Sequence, residues 1–249
     1  MKNIIKLFIF LCFAAPPALS FAAENKTMID QMRVVSINPD DYEGEYEEAL
    51  NSDEIKNFNQ AIFSFNQTID DYFAKPLARG YRYLLPEWGR NRIYSFFENL
   101  SEPQNFVNSI LQGDMEGMFR GFWRFTINST LGIGGLHDFA GGFGLTEREK
   151  DFSQTLAVWG VGSGDYLVLP FFGPSTYRDA VGLAFDKASN PSTYAENWAS
   201  AGLTTGSAIS KRERILDLTD DLEDESFDLY SSYKSSYLQN RKKNLISGL

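Results

Sequence analysis

Cysteine and histidine are nearly absent, with one of each in 249 residues. Cys12 lies in the apolar N-terminal stretch, so the remainder of the chain has no thiol for a disulfide or a thiolate metal site. His137 alone makes no histidine metal cluster. It is also the only imidazole for a Ser/His/Asp triad, and its neighbour Asp138 is adjacent in sequence, which is not the geometry a triad needs. It reads as a loop or helix-cap residue. The nucleophile elbow Gly-x-Ser-x-Gly is missing, because Gly162-Ser163-Gly164 is too tight for it. No phosphate loop ending in Gly-Lys-Ser/Thr occurs. Both glycine clusters fail the dinucleotide fingerprint, since His137 and Asp165 stand where its third glycine belongs. Basic residues are short as well: the formal net charge is -10, the wrong sign for a nucleic-acid surface. The carboxylate pairs Asp70-Asp71 and Asp220-Asp221 lie in polar runs and read as solvated. No catalytic, cofactor or metal site is expected, and the chain does not read as an enzyme.

Long apolar runs are also missing. Ile4 to Ala15 is the main one, preceded by Lys2 and Lys6, interrupted by Pro16-Pro17 and followed by small residues. It is too short to span a bilayer and has the layout of a secretory signal peptide, with cleavage between Ala22 and Ala23. Bulky Phe10-Leu11 precede Cys12, so the small residues required before a lipid-bearing cysteine are lacking, and no lipid anchor is expected. The organisation reads as a signal peptide over 1–22, an acidic lead-in over 23–57, a helical domain over 58–206, and a C-terminal amphipathic helix with its tail over 207–249.

Phenylalanine is abundant, at 21 residues. Either the core is Phe-rich or rings face lipid. Apolar residues recur every third or fourth position from Phe58 to Phe73, a helical face that Lys75-Pro76 should end or bend. A second helix follows Pro86, and Pro103 should break it. Over 115–131, Phe119, Phe122, Trp123 and Phe125 fall on one broad face, while Arg120, Arg124 and Asn128 gather on the other. Such a helix is either interfacial or a core helix with a solvated back, and spacing does not separate the two. Its arginines prevent it from spanning. Residues 166–174 read as an apolar loop or short extended piece. Further helices are expected over 175–188, 192–203 and 207–240.

The order and spacing of many short blocks add a resemblance. These are Phe58-Asn59-Gln60-Ala61-Ile62-Phe63-Ser64-Phe65-Asn66, Glu102-Pro103, Phe106-Val107-Asn108, Leu111-Gln112-Gly113-Asp114, Arg124-Phe125, Asn128-Ser129-Thr130-Leu131-Gly132-Ile133-Gly134-Gly135, Asp151-Phe152 and Gln154-Thr155-Leu156. Trp159 through Gly164, Leu169-Pro170, Gly173-Pro174-Ser175-Thr176 and Arg178-Asp179 complete the series. Together they resemble the MlaA/VacJ family of outer-membrane phospholipid-asymmetry proteins. The resemblance implies an all-α, ring-shaped bundle of amphipathic helices with a central polar channel, monotopic in the membrane. It implies an exported protein on the periplasmic side of the outer membrane. Its role would be to remove mislocalised phospholipid from the outer leaflet and pass it to a soluble periplasmic carrier, MlaC, beside a trimeric porin. The alternatives are a soluble periplasmic lipid carrier or a membrane-associated scaffold. Arg120 and Arg124 become candidates to face the channel, and Phe119, Phe122, Trp123 and Phe125 candidates to face lipid. Gly160, Gly162 and Gly164 are read as a hinge beside the channel or as a plain tight turn. Two departures stand out. The lipid-bearing cysteine is lacking, and Asn51 to Lys56 replaces the usual Asp-Pro and Gly before Phe-Asn, with Gln60 in place of Arg.

Overall fold

The computed structural model describes residues 55–190, 193 and 196–247. The signal peptide, its cleavage site at Ala22-Ala23 and nearly all of the acidic lead-in lie outside the described residues.

Helix α1 (Lys56–Ile69) runs into a wide π turn (Asp70–Ala74) and on into α2 (Lys75–Leu84). Pro76 has no N–H for the preceding turn, and its ring crowds the carbonyl there. The widened turn absorbs this, so the chain stays helical across the point where the sequence predicts an end or a bend. Helix α3 (Glu87–Leu111) contains Pro103 in its interior. The expected break is therefore absent. Partners along both halves of α3 hold it continuous against a cost of about 3 kcal/mol. After a turn at Gly113, α4 (Met115–Thr130) returns along α3, pairing Arg124 with Glu102 and Ser129 with Asn99. Gly121 lets the two backbones close up, since a Cβ there would sit 3.4 Å from the Phe106 nitrogen.

Short helices α5 (Phe139–Gly142) and α6 (Phe152–Val158) follow, each started by an aspartate cap: Asp138 accepts from the Gly141 N–H and Asp151 from the Gln154 N–H. The apolar piece at 166–174 is an antiparallel hairpin, β1 (Tyr166–Leu169) with β2 (Gly173–Thr176), in the register Tyr166 opposite Thr176. Thr176 caps α7 (Tyr177–Ser189). The expected long helix over 207–240 is instead three: α8 (Asn197–Arg214), α9 (Leu216–Glu225) and α10 (Leu229–Ser247). Helix α8 passes through residue 206 without interruption. The breaks fall at Ile215 and at 226–228, where Ser226 is extended.

The largest cluster of buried apolar side chains lies between the hairpin and α10. Tyr166, Val168, Ala157, Tyr230, Leu238 and Leu245 form it, with Ile62 and Phe63 of α1 against it. The outer edge of β1 is completed by α1 side chains, not by a strand. Asn59 donates to the Tyr166 carbonyl at 3.0 Å and accepts from the Val168 N–H at 2.9 Å. Asn66, two turns on, does the same for the Leu169 carbonyl (2.9 Å) and the Phe171 N–H (2.8 Å). Two asparagine amides thus satisfy four backbone groups that a bare edge would leave open.

Candidate functional site

Among the described residues, buried polar side chains outnumber buried apolar ones, and the inversion is plainest on α4. Its buried positions are Gly117, Gly121, Arg124 and Asn128, one helical face of small and polar residues. The opposite face carries Phe119, 56% exposed, and Trp123, 50% exposed. The side with the arginine is inside and the aromatic side is out. All four tryptophans of the chain, Trp88, Trp123, Trp159 and Trp198, are at least half exposed.

The interior face is held by charge. Arg124 Nε donates to Glu102 Oε1 at 2.5 Å and Nη1 donates to the Leu145 carbonyl at 2.5 Å, with Asp138 Oδ1 3.3 Å from Nη1. Burial pushes the Glu102 carboxyl above its ordinary value even with Arg124 beside it, whereas Arg124, also buried, is held above its ordinary value by Glu102. Asn128 donates to Asp138 and accepts from the Ala140 N–H, both at 2.9 Å, tying the glycine-rich loop to α4. A second paired group links the N-terminal and C-terminal helices. Arg212 clamps both oxygens of Asp70 at 2.7 Å, and Lys75 reaches Glu223 at 2.5 Å. The aspartate pairs expected to be solvated are thus engaged at Asp70 and at Asp220, which meets Arg79 at 2.9 Å.

A cavity of about 770 Å³ opens between α3, α7, α8 and α10. This lies within the size range of small-molecule sites. Leu100, Leu183 and Leu203 supply apolar wall, and Lys187, Lys211 and Arg241 supply positive charge. Its polar floor is a network. Arg241 Nη1 and Nη2 hold both oxygens of Asp151 (2.6 and 2.9 Å), while Nε and Nη2 reach Asp179 Oδ1 (3.0 and 2.9 Å). Ser153 and Tyr237 also donate to Asp179 through short hydrogen bonds. Burial alone would push Asp179 up, but Arg241 and these donors hold it below the usual carboxylate value. Asp186 has less help. Burial pushes it up to about 6, although the Phe152 N–H donates to it at 3.1 Å. Lys150, buried against Gln112 and Asp114, is pushed down by burial.

At the cavity's edge is a cluster of carboxylates, Glu98, Glu147 and Glu149. Burial, with Glu98 beside it, pushes Glu147 up to about 9. The Tyr94 phenol is pushed up by burial and by the charge of these three.

The expected site residues are not brought together. Neither Arg120 nor Arg124 lines this cavity. Arg124 is inside the α3–α4 layer, and Arg120 pairs with Glu116 at 2.5 Å and Thr146 at 3.0 Å. Phe119 and Trp123 face outward, whereas Phe122 and Phe125 are half-buried, Phe122 lying against Phe106. Gly160, at φ 85°, terminates α6: its N–H bonds the Ala157 carbonyl, and the Val161 N–H bonds Leu156. Gly162 and Gly164 follow in a segment without regular structure, which Arg178 pins by donating to the Val161 carbonyl at 2.9 Å. His137 stacks on Phe139. The asparagine staples and the Asp151–Asp179–Arg241 network were present in the sequence only as unassigned residues. The available signal was Asn59 and Asn66 recurring after a phenylalanine on one helix.

No helix among the described residues is long and apolar enough to cross a membrane. Three comparisons bear on this arrangement. The family model described as MlaA lipoprotein matches residues 51–244. The Escherichia coli (strain K12) intermembrane phospholipid transport system lipoprotein MlaA is 37% identical over 194 residues, covering 76% of each chain. An uncharacterized protein of Rickettsia bellii is 38% identical over 192 residues, covering 76% of this chain and 75% of the relative. A solved structure, described as the structural basis for maintenance of bacterial outer membrane lipid asymmetry, is similar at a TM-score of 0.68 and 36% identity. That similarity covers 78% of this chain and all of the other.

Proposed function

The chain belongs to the MlaA lipoprotein family, and from that premise we propose that it moves phospholipid at the outer membrane. It takes mislocalised phospholipid from the outer leaflet and delivers it to a soluble periplasmic carrier of the MlaC kind, beside a trimeric porin. The protein is exported and works from the periplasmic side. No step makes or breaks a covalent bond.

The observation that carries this reading is the inverted α4, with Arg124 and Asn128 inside and Phe119 and Trp123 outside. In water alone, such a face leaves apolar area uncovered that a lipid surface would cover. A phospholipid headgroup also needs polar partners on its way past apolar surroundings, because carrying it bare is costly. The cavity offers both in one place, leucines on its walls and Lys187 and Lys211 at hand for a phosphate. Gly160 and Gly164, both at positive φ, flank the segment proposed to act as a hinge, with Arg178 as its latch. The protein holds to the membrane by its aromatic side chains.

The test is complementation. Cells lacking their own family member and accumulating phospholipid in the outer leaflet are supplied with this chain or with Lys187→Glu/Lys211→Glu. The chain is expected to lower outer-leaflet phospholipid and to stay in the outer-membrane pellet through salt and carbonate washes. The charge-reversed variant is expected to stay there without lowering it. A chain that pellets but leaves the leaflet unchanged overturns the transport reading. A chain released by the washes favours a soluble carrier.

A further inference from the structure

Two neighbouring residues of α7, Asp186 and Lys187, both line the cavity, and among the described residues neither forms an ion pair. Consecutive residues on a helix point about 100° apart, so these two do not neutralise each other. Asp186 takes its hydrogen bonds from neutral donors, the Phe152 N–H at 3.2 and 3.1 Å and the Asn108 amide at 3.4 Å. These fix the carboxylate without balancing its charge, and they leave acceptor capacity on Oδ2. Arg241 acts on Asp186 through space, but its guanidinium is engaged by Asp151 and Asp179. Those two aspartates line the same cavity and already have their cation. Asp186 also stands in the last turn of α7, where the helix dipole disfavours negative charge. Lys187 holds its Nζ 4.3 Å from the centre of the Phe172 ring, another residue of the cavity wall. One wall thus presents an unbalanced carboxylate and an unbalanced ammonium side by side.

We propose that Asp186 and Lys187 select a phospholipid whose headgroup carries a primary ammonium, with the ammonium on Asp186 and the phosphate on Lys187. The inference rests on the transport reading and names the substrate class for it. An ethanolamine headgroup carries one charge of each sign a few bonds apart, and each finds its opposite on this wall. A glycerol headgroup brings only the phosphate and leaves Asp186 unbalanced. A choline headgroup has no N–H to donate to a carboxylate. Quaternary ammonium groups are held by open aromatic faces, and Lys187 already covers a face of Phe172. A serine headgroup sets a second carboxylate against Asp186. Leu100, Leu183 and Leu203 remain for the acyl chains. The pair was hidden in the sequence because an adjacent Asp-Lys on a helix reads as a solvated face, and only the fold turns both residues to one cavity.

The experiment is native mass spectrometry of the full chain in detergent at pH 8, where Asp186, pushed up to about 6 by burial, is ionised. The chain is offered an equimolar mixture of ethanolamine, glycerol and choline phospholipids with the same acyl chains. Bound ethanolamine lipid is expected to exceed each of the others by about tenfold, the low end of what a hydrogen bond to a charged group supplies. Asp186→Asn keeps an acceptor for the Phe152 N–H and is expected to bind all three within about twofold of one another. Lys187→Gln is expected to lower all three together and keep their ratio. Soluble phosphoethanolamine in equal amount is expected not to compete, because it has no acyl chains for the leucines. The preference is a ratio among lipids on the same molecules, so a loss of folded chain does not imitate it. Equal binding of the three lipids by the parent overturns the selection and leaves the transport reading standing. A preference undiminished in Asp186→Asn overturns Asp186 as the partner of the ammonium, and parent-like binding by Lys187→Gln overturns Lys187 as that of the phosphate. Displacement by soluble phosphoethanolamine overturns the lipid as ligand. Binding of no phospholipid at all overturns the transport reading's use of this cavity.

Discussion

Around β1 the buried cluster includes Val168, Leu238 and Leu245, enclosed between hairpin and helix, whereas in the α3–α4 hairpin the buried contacts between the helices are made by Asn99, Glu102, Arg124 and Asn128, with the Phe119 and Trp123 rings outside. The first region is stabilised by removing apolar area from water. The second gains little that way, because much of its apolar area stays out. What holds it is charge-assisted hydrogen bonding between groups whose removal from water is costly. The difference also separates two tasks. A region that keeps its apolar side chains to itself anchors the chain, and one that turns them outward is available to a nonpolar partner.

If that contrast is right, the greatest loss follows from opening the polar interior. Arg124→Met leaves Glu102 buried without its cation and frees the Leu145 carbonyl and Asp138. A loss of about 3–5 kcal/mol in unfolding free energy is expected, measured by denaturant titration in detergent. The double variant Glu102→Leu/Arg124→Met should recover most of it, since neither charge is then stranded. A loss below about 1 kcal/mol for Arg124→Met, the level of an exposed pair, would mean that the α3–α4 interior is wet and the contrast false.

The next effect tests the conventional region where it borrows polar groups. Asn59→Ala removes the side-chain amide that the buried Tyr166 carbonyl and Val168 N–H bond, at about 2–4 kcal/mol for the two together. Asn66→Ala should cost only about 1 kcal/mol, because its partners at the turn are reached by water. Equal losses at both positions would show that β1 does not depend on burial at Asn59.

Helical content was legible from the sequence because apolar spacing reports it directly, and a disturbance of the helix near Lys75-Pro76 was legible because proline chemistry is local, although it takes the form of a π turn and not of an end. Pro103 was misread for the same reason: locally it ends a helix, and only partners from α4 and α8 keep α3 continuous. The three-helix C terminus read as one because its charged residues keep helical spacing across Ile215 and Ser226. On α4 the two faces were visible but not their sense, since periodicity is the same whichever side is buried. The network of Asp151, Asp179 and Arg241, like the glutamates at the cavity's edge, was hidden because its members meet only through the tertiary fold.

The sense of α4 yields the last prediction, in which stability and membrane partition are read on the same two rings. Phe119 and Trp123 are about half exposed, so Phe119→Ser/Trp123→Ser gives up only the buried half of each ring, and a loss of about 1.5–3 kcal/mol in unfolding free energy is expected in detergent, below that at Arg124→Met. Binding to phospholipid vesicles should respond as well. Full burial of an aromatic side chain is worth about 1.5–3 kcal/mol, and roughly half of each ring remains to be buried, so the pair should weaken partition about tenfold to a hundredfold. Sedimentation with vesicles of zwitterionic lipid reads this directly, and zwitterionic lipid removes charge as an explanation for a chain with net charge -10. Serine at the half-buried Phe122 and Phe125 should reverse the balance, costing stability through lost packing against Phe106 while changing partition less. If instead the Phe119/Trp123 variant partitions like the parent, the outward rings are not what holds the lipid. The polar interior of α3–α4 would then stand as a feature of stability alone, with no consequence at the membrane.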